Sequence, residues 1–589
     1  MSFEPKGFSR DIFEQRYAFP GESWADFSIR VAKHVASAEL DDKKTYYTDR
    51  FAQIICDNKF IPGGRICYGA GRHGFLLNCF VGNPNMDSKE GWARAAHDMI
   101  MISMSGGGLG LDFSDIRPNG SQIGTNSGSC PGPVSLMELI NAIGHPVRSG
   151  GGRRVALMFS LDLDHPDVEE FLSCKLEQNK LTLANVSLRS RNTEKFIEAV
   201  KKDLPWELKY KGKLHKTISA KKLWNTIVEN AHKSAEPGIL NFELAEKEHN
   251  IWYCDQLVTT NPCGEIFMGA YSVCCLGHLV LPRFIDIDGN IMWDSIAETI
   301  KLSVRFLDNV LSVNKYPLPE IEEKSKNIRR IGLGTTGLGD FLILRSLKYG
   351  SQEALKDIDH LYRFISKIAY ESSSMLAIEK GSFPWLDIEK FLESGYMKRQ
   401  TKKVRSYVRE HGIRNCALLT NAPTGTTSIV SNNCSSGLEP IFAPAYERRF
   451  WEGDKRKTEV IVHPLFKKFF DEEKPLNHFV ASHELSVRQH LEVQAVVQKH
   501  VDQAISKTIN MPKDYPIEDM SKVWLEFLPQ LKGTTFYREG TRGFIDEDGN
   551  KKEPPLKPLT LAEAKKEVIN SNKVEVVSNI DCPSGSCGI

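Results

Sequence analysis

Across 589 residues no run of 18 apolar side chains occurs, and the opening MSFEPKGFSRDIFEQRYAF carries charges throughout instead of an apolar signal region. On that reading there is no membrane partner, and a cytoplasmic location is expected. Excess charge of either sign is equally scarce: 76 Lys plus Arg against 75 Asp plus Glu leave a net +1. Such a balance provides no broad positive field for counterion-driven nucleic-acid binding or for an anionic membrane surface. Thirteen cysteines, an odd number spread over a long chain, do not make the framework of a small secreted domain. The thiols are expected to be reduced at rest, and each is first of all a small buried hydrophobe unless its neighbours say otherwise. What is present, 41% hydrophobic and 26% charged residues, is ordinary globular usage with length enough for a large core.

The chain changes texture along its length. In residues 1–60 Ser23 can cap a helix with Asp26 three positions on, and Trp24, Phe27, Val31 and Val35 recur at helical spacing. From Ile61 to Gly128 short apolar runs are broken by glycine, in PGGRI, YGAGRHG, SGGGLGL and GTNSGSCPG, which implies strands and tight turns. Between about Val155 and Phe450 strand-like VALMF and ALLTNAP alternate with helical TIVENAHKS and AETIKLSVRFLDNVL, so the fold class is α/β, either a barrel or a doubly wound sheet. Val493, Val497, Val501 and Ala504 share one helical face, and that helix should stop before Pro512. Beyond Arg542 the chain is rich in Lys, Glu and Pro, so 543–589 is expected to be a mobile tail ending in CPSGSCGI. A flexible run of about 40 residues spans roughly 35 Å, enough to reach from a surface anchor into an active site.

Three clusters carry chemistry. Asn261-Pro-Cys263-Gly-Glu265, followed by Cys274 and Cys275, gathers thiols and a carboxylate that packing alone explains poorly, because a buried Glu needs a partner or a job. Structural zinc is a rival, but the separation of Cys263 and Cys274 fits the usual Cys-x2-4-Cys pairs badly. Asn421-Ala-Pro423-Thr424-Gly425-Thr426-Thr427-Ser428 follows a strand-like ALLT, and such a small-residue turn opening a helix offers N–H groups to an anion. It has no GK[ST], so it is not a Walker-type loop, and a simple capped helix start is the alternative. Cys582 and Cys587, close to glycines in a segment without a core, suit thiol exchange better than structure, with an adventitious pair or a zinc ligand set as the alternative.

Taken together these residues resemble the catalytic subunit of ribonucleotide reductase, specifically the adenosylcobalamin-dependent class II enzymes. The resemblance runs from RYAFPGESWADFSIRVA through GGRICYGAG, LLNCFVG, SGGGLGLDFSDIRPNGS, GGRRVALM, LDLDHPDVEEFLSCK, NPCGEI with CCLGHLVL, IGLGTTGLGDFL, APTGTTSIVSNNCSSGLEPIFAPAYERR and AISKTINMP to GTTFYREGTRG and CPSGSCG. It implies a ten-stranded α/β barrel over 61–542, an N-terminal helical segment over 1–60 and a flexible redox-active tail over 543–589. It implies a thiyl radical on Cys263 that abstracts the ribose 3′ hydrogen, Glu265 as acceptor of the 3′-hydroxyl proton and Asn261 as a hydrogen-bonding amide. Residues two apart on an extended strand would face one ligand together. Cys79 and Cys274 would supply the electrons as a disulfide-forming pair, with Cys275 pointing the other way by alternation. Cys582 and Cys587 would re-reduce that pair before being reset by thioredoxin or a similar dithiol.

The same resemblance assigns Pro423 to Ser428 to the substrate phosphates. It assigns Asp87, Ser88 and Arg117 to a deoxynucleotide or ATP effector at the edge of a possible homodimer. Gly150-Gly-Gly-Arg153-Arg154 would be the loop passing the effector's identity to the base pocket, a solvated glycine turn being the alternative. Because the chain starts directly at the helical segment, neither an N-terminal ATP-binding cone nor overall on/off control by ATP and dATP is expected. Class I large subunits relay a radical through two adjacent tyrosines near the C-terminus, whereas here the block reads Thr535-Phe536-Tyr537-Arg538. That departure favours adenosylcobalamin, and the missing D-x-H-x-x-G cobalamin signature is no objection because class II reductases resemble one another without it. The alternatives are a class I large subunit needing a separate metal-containing subunit, and a non-catalytic nucleotide- or zinc-binding relative.

Overall fold

The structure, a computed structural model, describes residues 3–575 except 84, 125–127, 148–154, 177–180, 433, 453–454, 540 and 542–555. Three helices open it: α1 (Phe8–Arg16), α2 (Trp24–Ala36) and α3 (Asp41–Cys56). The Ser23 hydroxyl accepts the Asp26 amide at 3.1 Å, and Trp24, Phe27, Val31 and Val35 are fully buried, as the cap and the spacing require. Each such side chain contributes about 1.5–3 kcal/mol on burial.

Ten strands make the central sheet: β1 (Phe60–Pro62), β2 (Cys79–Val81), β3 (Gly108–Asp112), β4 (Leu157–Asp162), β5 (Ala184–Ser190), β6 (Gly238–Asn241), β7 (Val273–Val280), β8 (Ile331–Thr336), β9 (Thr508–Met511) and β10 (Gly533–Arg538). Strands β2 to β6 run parallel in chain order. A second parallel set pairs β7 with β8 and β9 with β10, and the two sets meet antiparallel at β2/β7 and β6/β10. Parallel bridges from Leu333 to Leu419 and from Asn421 to Ile505 close the ring between β8 and β9. The doubly wound alternative is thereby discarded: the sheet is a barrel. Helices cover it outside, among them α4 (Lys89–Met104), α5 (Gly132–Gly144), α6 (Ala220–Ser234), α7 (Trp293–Val313) and α8 (Gln352–Lys380).

Two expectations are corrected. Helix α10 (Val487–Gln498), which follows the short α9 (Gly425–Val430), ends before Val501 and Ala504, although both are buried. The chain leaves the helix there because Asp502 accepts the Leu418 and Leu419 amides, each at 2.8 Å, and Ile505 must join the barrel wall. Within 543–589, Leu556–Leu559 pairs antiparallel with Ala445–Glu452 and Leu561–Glu575 is helical. Ala564 and Val568 are fully buried in a satellite core with Phe466 and Phe469. A short amphipathic face is enough to order this part despite its polar composition.

Candidate active site

Inside the barrel a hairpin rises between Thr259–Thr260 and Phe267–Met268, carrying Asn261 to Ile266 at its tip. Alternate glycines on β3 make the space: a Cβ on Gly110 would lie 1.8 Å from the Thr260 carbonyl oxygen, and one on Gly108 would lie 2.8 Å from Pro262. Side chains from several strands then hold the hairpin. Asn185 donates to the Pro262 carbonyl at 3.1 Å, Arg189 to the Val258 carbonyl at 2.6 Å and Thr420 to the Glu265 carbonyl at 2.7 Å. These supports went unread in the sequence, although the two-residue period of glycine in GLGLD signals close backbone approach to a strand.

Asn261, Cys263 and Glu265 come together on this tip, but in a tight turn instead of the extended strand expected. The Gly264 amide donates to the Asn261 carbonyl at 2.9 Å, and Gly264 takes φ +78°. The turn separates their environments: Cys263 is exposed, while Asn261 and Glu265 are buried. Burial raises the Glu265 carboxyl to about 7, against a smaller opposing pull from Asn261. Its Oε2 has no hydrogen-bond partner among the described residues.

Cys79 and Cys274 stand directly opposite in the β2/β7 register, both as reduced thiols. Opposed residues of an antiparallel pair lie about 4.5–5.5 Å apart at Cα, inside the roughly 4.4–6.8 Å window of a disulfide. The Cys79 sulfur is 4.0 Å from Glu265 Oε1 and accepts from Asn261 Nδ2 at 3.5 Å, so the pair borders the hairpin tip. Cys275 faces the opposite way, into the main core, as alternation requires.

A cavity of about 270 Å³ opens on the Cys263 side of the hairpin, bounded by Asn185, Gly238, Pro423, Gly533 and Tyr537. Phe536 turns outward instead, its ring 4.7 Å from that of Trp524. Beyond Pro423 the turn enters α9 at Thr424, which has φ +55° and makes no side-chain cap. The simple capped start is thus not what forms. The Thr424 hydroxyl accepts the Gly437 amide at 2.7 Å, Thr427 donates to the Thr424 carbonyl at 3.0 Å and Ser428 to the Gly425 carbonyl at 2.9 Å. Three hydroxyls therefore brace the turn, and it is the first-turn backbone N–H groups that suit an anion. Gly425, Thr426 and Ser428 border a groove of about 670 Å³.

Sequence comparison gives this geometry its context. A family profile described as ribonucleotide reductase, barrel domain, matches residues 77–537, and one described as ribonucleotide reductase, all-alpha domain, matches 3–74. The chain belongs to the ribonucleotide reductase family. Among similar curated proteins is the vitamin B12-dependent ribonucleoside-diphosphate reductase of Mycobacterium tuberculosis (strain CDC 1551 / Oshkosh), 30% identical over 90% of this chain and 78% of that one. That of Thermoplasma acidophilum is 31% identical over 92% and 72%. The ribonucleoside-diphosphate reductase subunit alpha of Chlamydia muridarum is 26% identical over 75% of this chain and 47% of its own.

In this reductase the residues assigned to an effector also meet. Asp87 accepts from the Arg117 guanidinium at 2.9 Å and the Arg117 amide at 3.1 Å, and Tyr210 donates to its other oxygen at 3.2 Å. Burial opposes ionisation of Asp87, but the Arg117 bonds prevail and hold it below the usual carboxylate range. Ser88 caps α4 by accepting the Gly91 amide at 2.9 Å. Arg153, Arg154, Cys582 and Cys587 lie outside the described residues.

Proposed function

We propose that this reductase converts ribonucleoside di- or triphosphates to 2′-deoxyribonucleotides, for DNA precursor synthesis, through a thiyl radical at Cys263 in the class II, adenosylcobalamin-dependent manner. One observation carries the reading: an exposed thiol at the tip of a hairpin inside a barrel, with a buried carboxylate beside it and two further thiols facing each other across the adjoining strands. The cavity beside Cys263 suits a nucleoside-sized group. Its walls at Gly238, Gly264 and Gly533 are bare backbone, with nothing within 4 Å of where a Gly264 side chain would be. Asn185, Ser187 and Thr535 would hold the polar edge of the adenosyl portion there. When bound, adenosylcobalamin supplies the radical equivalent that removes the hydrogen atom of a thiol.

The chain's own residues account for the rest. The Cys263 sulfur takes the ribose 3′ hydrogen and later returns it, while Glu265 accepts the 3′-hydroxyl proton and Asn261 orients the sugar. Of the two hydrogens given up by Cys79 and Cys274, one leaves with the 2′-hydroxyl as water and the other replaces it at C2′. The two sulfurs then close a disulfide. Backbone donors of α9 hold the substrate phosphates and fix the ribose against the sulfur. Cys582 and Cys587, recharged by thioredoxin or a similar dithiol, restore the pair; Asp87, Ser88, Arg117, Arg153 and Arg154 serve a nucleotide effector, and the exposed Met101, Met104 and Leu139 on α4 and α5 suit a homodimer contact.

Incubating the isolated chain with a ribonucleotide, a dithiol and adenosylcobalamin should yield deoxynucleotide without a second subunit. Cys263→Ala should abolish product while nucleotide binding persists. Product only on adding a metal-containing subunit would favour the class I alternative, in which Tyr537 alone receives the radical; full activity of Cys263→Ala would favour a non-catalytic role for this site.

A further inference from the structure

Arg330 is a buried cation that the reaction above does not use. Ile331 pairs with Cys275, so Arg330 stands beside Cys274 on the neighbouring parallel strand, and both face the barrel interior. Gly332, on the same face, would place a Cβ 2.8 Å from the Cys274 sulfur. Arg330 is 2% exposed, and its Nε has no hydrogen-bond partner among the described residues. Its contacts are long: Gln503 at 3.4 Å and Asp255 at 3.3 Å. Asp255 is also engaged by Lys324 at 2.5 Å, and the acidic groups around Arg330, Cys416, Asp255, Cys274 and Asp502, keep it charged against its burial.

The two sulfurs of the pair therefore differ. Beside Cys79 stands the Glu265 carboxylate, which opposes negative charge on that sulfur, and the neutral Asn261 amide offsets this only in part. Burial pushes the Cys274 thiol well up, and Arg330 is the charge that most strongly pulls it back, with Glu265, Cys416 and Asp502 acting the other way. Access differs as well, Cys79 being 4% exposed and Cys274 fully buried.

We infer that reduction of the Cys79–Cys274 disulfide is directional, the incoming thiolate bonding to Cys79 while Cys274 departs beside Arg330. One sulfur–sulfur bond forms between the reductant and Cys79 as the Cys79–Cys274 bond breaks, and the electron pair goes to Cys274, which is then protonated. A second thiol of the dithiol reductant releases Cys79 and leaves the reductant as a disulfide. Exchange speeds up as the leaving thiolate is stabilised, so Arg330 is a positioning residue that sets which sulfur leaves. The inference rests on the reading of Cys79 and Cys274 as the reductant pair.

The test uses the full chain with Cys582 and Cys587 replaced by Ser, oxidised with diamide at pH 8, treated with glutathione and quenched with N-ethylmaleimide before peptide mass spectrometry. Failure to form the Cys79–Cys274 disulfide overturns the reductant-pair reading itself. With the disulfide formed, glutathione should appear on Cys79 and maleimide on Cys274. Arg330→Met should slow adduct formation about tenfold or more, and Arg330→Lys should restore most of the rate, an outcome that loss of the Asp255 contact alone does not produce. Glu265→Gln, which leaves Arg330 in place should the Met variant fail to fold, should move part of the adduct to Cys274. Glutathione on Cys274 in the parent chain, or an Arg330→Met rate equal to the parent's, overturns the inference.

Discussion

Glu265 is held by two opposed demands. The proposed role as base for a sugar hydroxyl needs Glu265 to ionise near neutral pH, and burial at 1% exposure resists that, leaving its pKa at about 7 against 4.5 for an ordinary glutamate. The protonated form is the one that folding favours. Its contribution to stability is complete below about pH 4.5 and is lost as pH rises through about 7. Glu265→Gln should thus be the more stable protein at pH 8, by up to roughly 3 kcal/mol in urea unfolding, with turnover down at least about 100-fold. Equal stability of the two proteins at pH 8 would contradict the burial argument. The spacing of Asn261, Cys263 and Glu265 was legible as a chemical cluster, but not its geometry. Only the turn at Gly264, with its left-handed φ, exposes the thiol while burying the acid, and alternation along a strand would have put all three alike.

At the scale of elements the hairpin depends on what is missing from β3. Gly110→Ala would drive a methyl group into the Thr260 carbonyl, so the hairpin or the strand must move. A loss of about 1–3 kcal/mol or more is expected, together with a fall in turnover of at least tenfold because the thiol shifts from its partners; unchanged melting and activity would mean that the hairpin does not lie there. Patterning made the helices legible, since α2 and α7 bury the residues that their spacing selects. It misled at Val501 and Ala504, where helical spacing persists in residues that belong to the barrel wall. Asp502, by taking two amides of the closing segment, overrides that period, and no local signal announces a contact across 84 residues.

For the whole molecule, the ordered blocks of sequence identified the ring of ten strands, whereas alternating strand and helix signals alone left a doubly wound sheet equally open. Closure rests on single bridges at Leu419 and Asn421, inside the ALLTNAP run whose composition reads as strand-like. Composition assigned all of 543–589 to a tail, yet Ala564 and Val568 anchor its middle to the core beside Phe466. Cys587 follows Glu575 by twelve residues, and a chain of that length spans at most about 43 Å when fully extended. Replacing both Cys582 and Cys587 by Ser should stop multiple turnovers driven by thioredoxin while a single turnover of the pre-reduced enzyme persists; thioredoxin-driven cycling in that variant would remove the tail from the cycle.

In the proposed cycle the Cys263 sulfur carries the unpaired electron, started by adenosylcobalamin within a single chain. Anaerobic electron paramagnetic resonance of the isolated protein, freeze-quenched with adenosylcobalamin, effector and substrate, tests it directly. The parent chain should give a cob(II)alamin signal coupled to an organic radical, and Cys263→Ala should give none. An identical coupled signal in both proteins, or none from the parent until a metal-containing subunit is added, would contradict it.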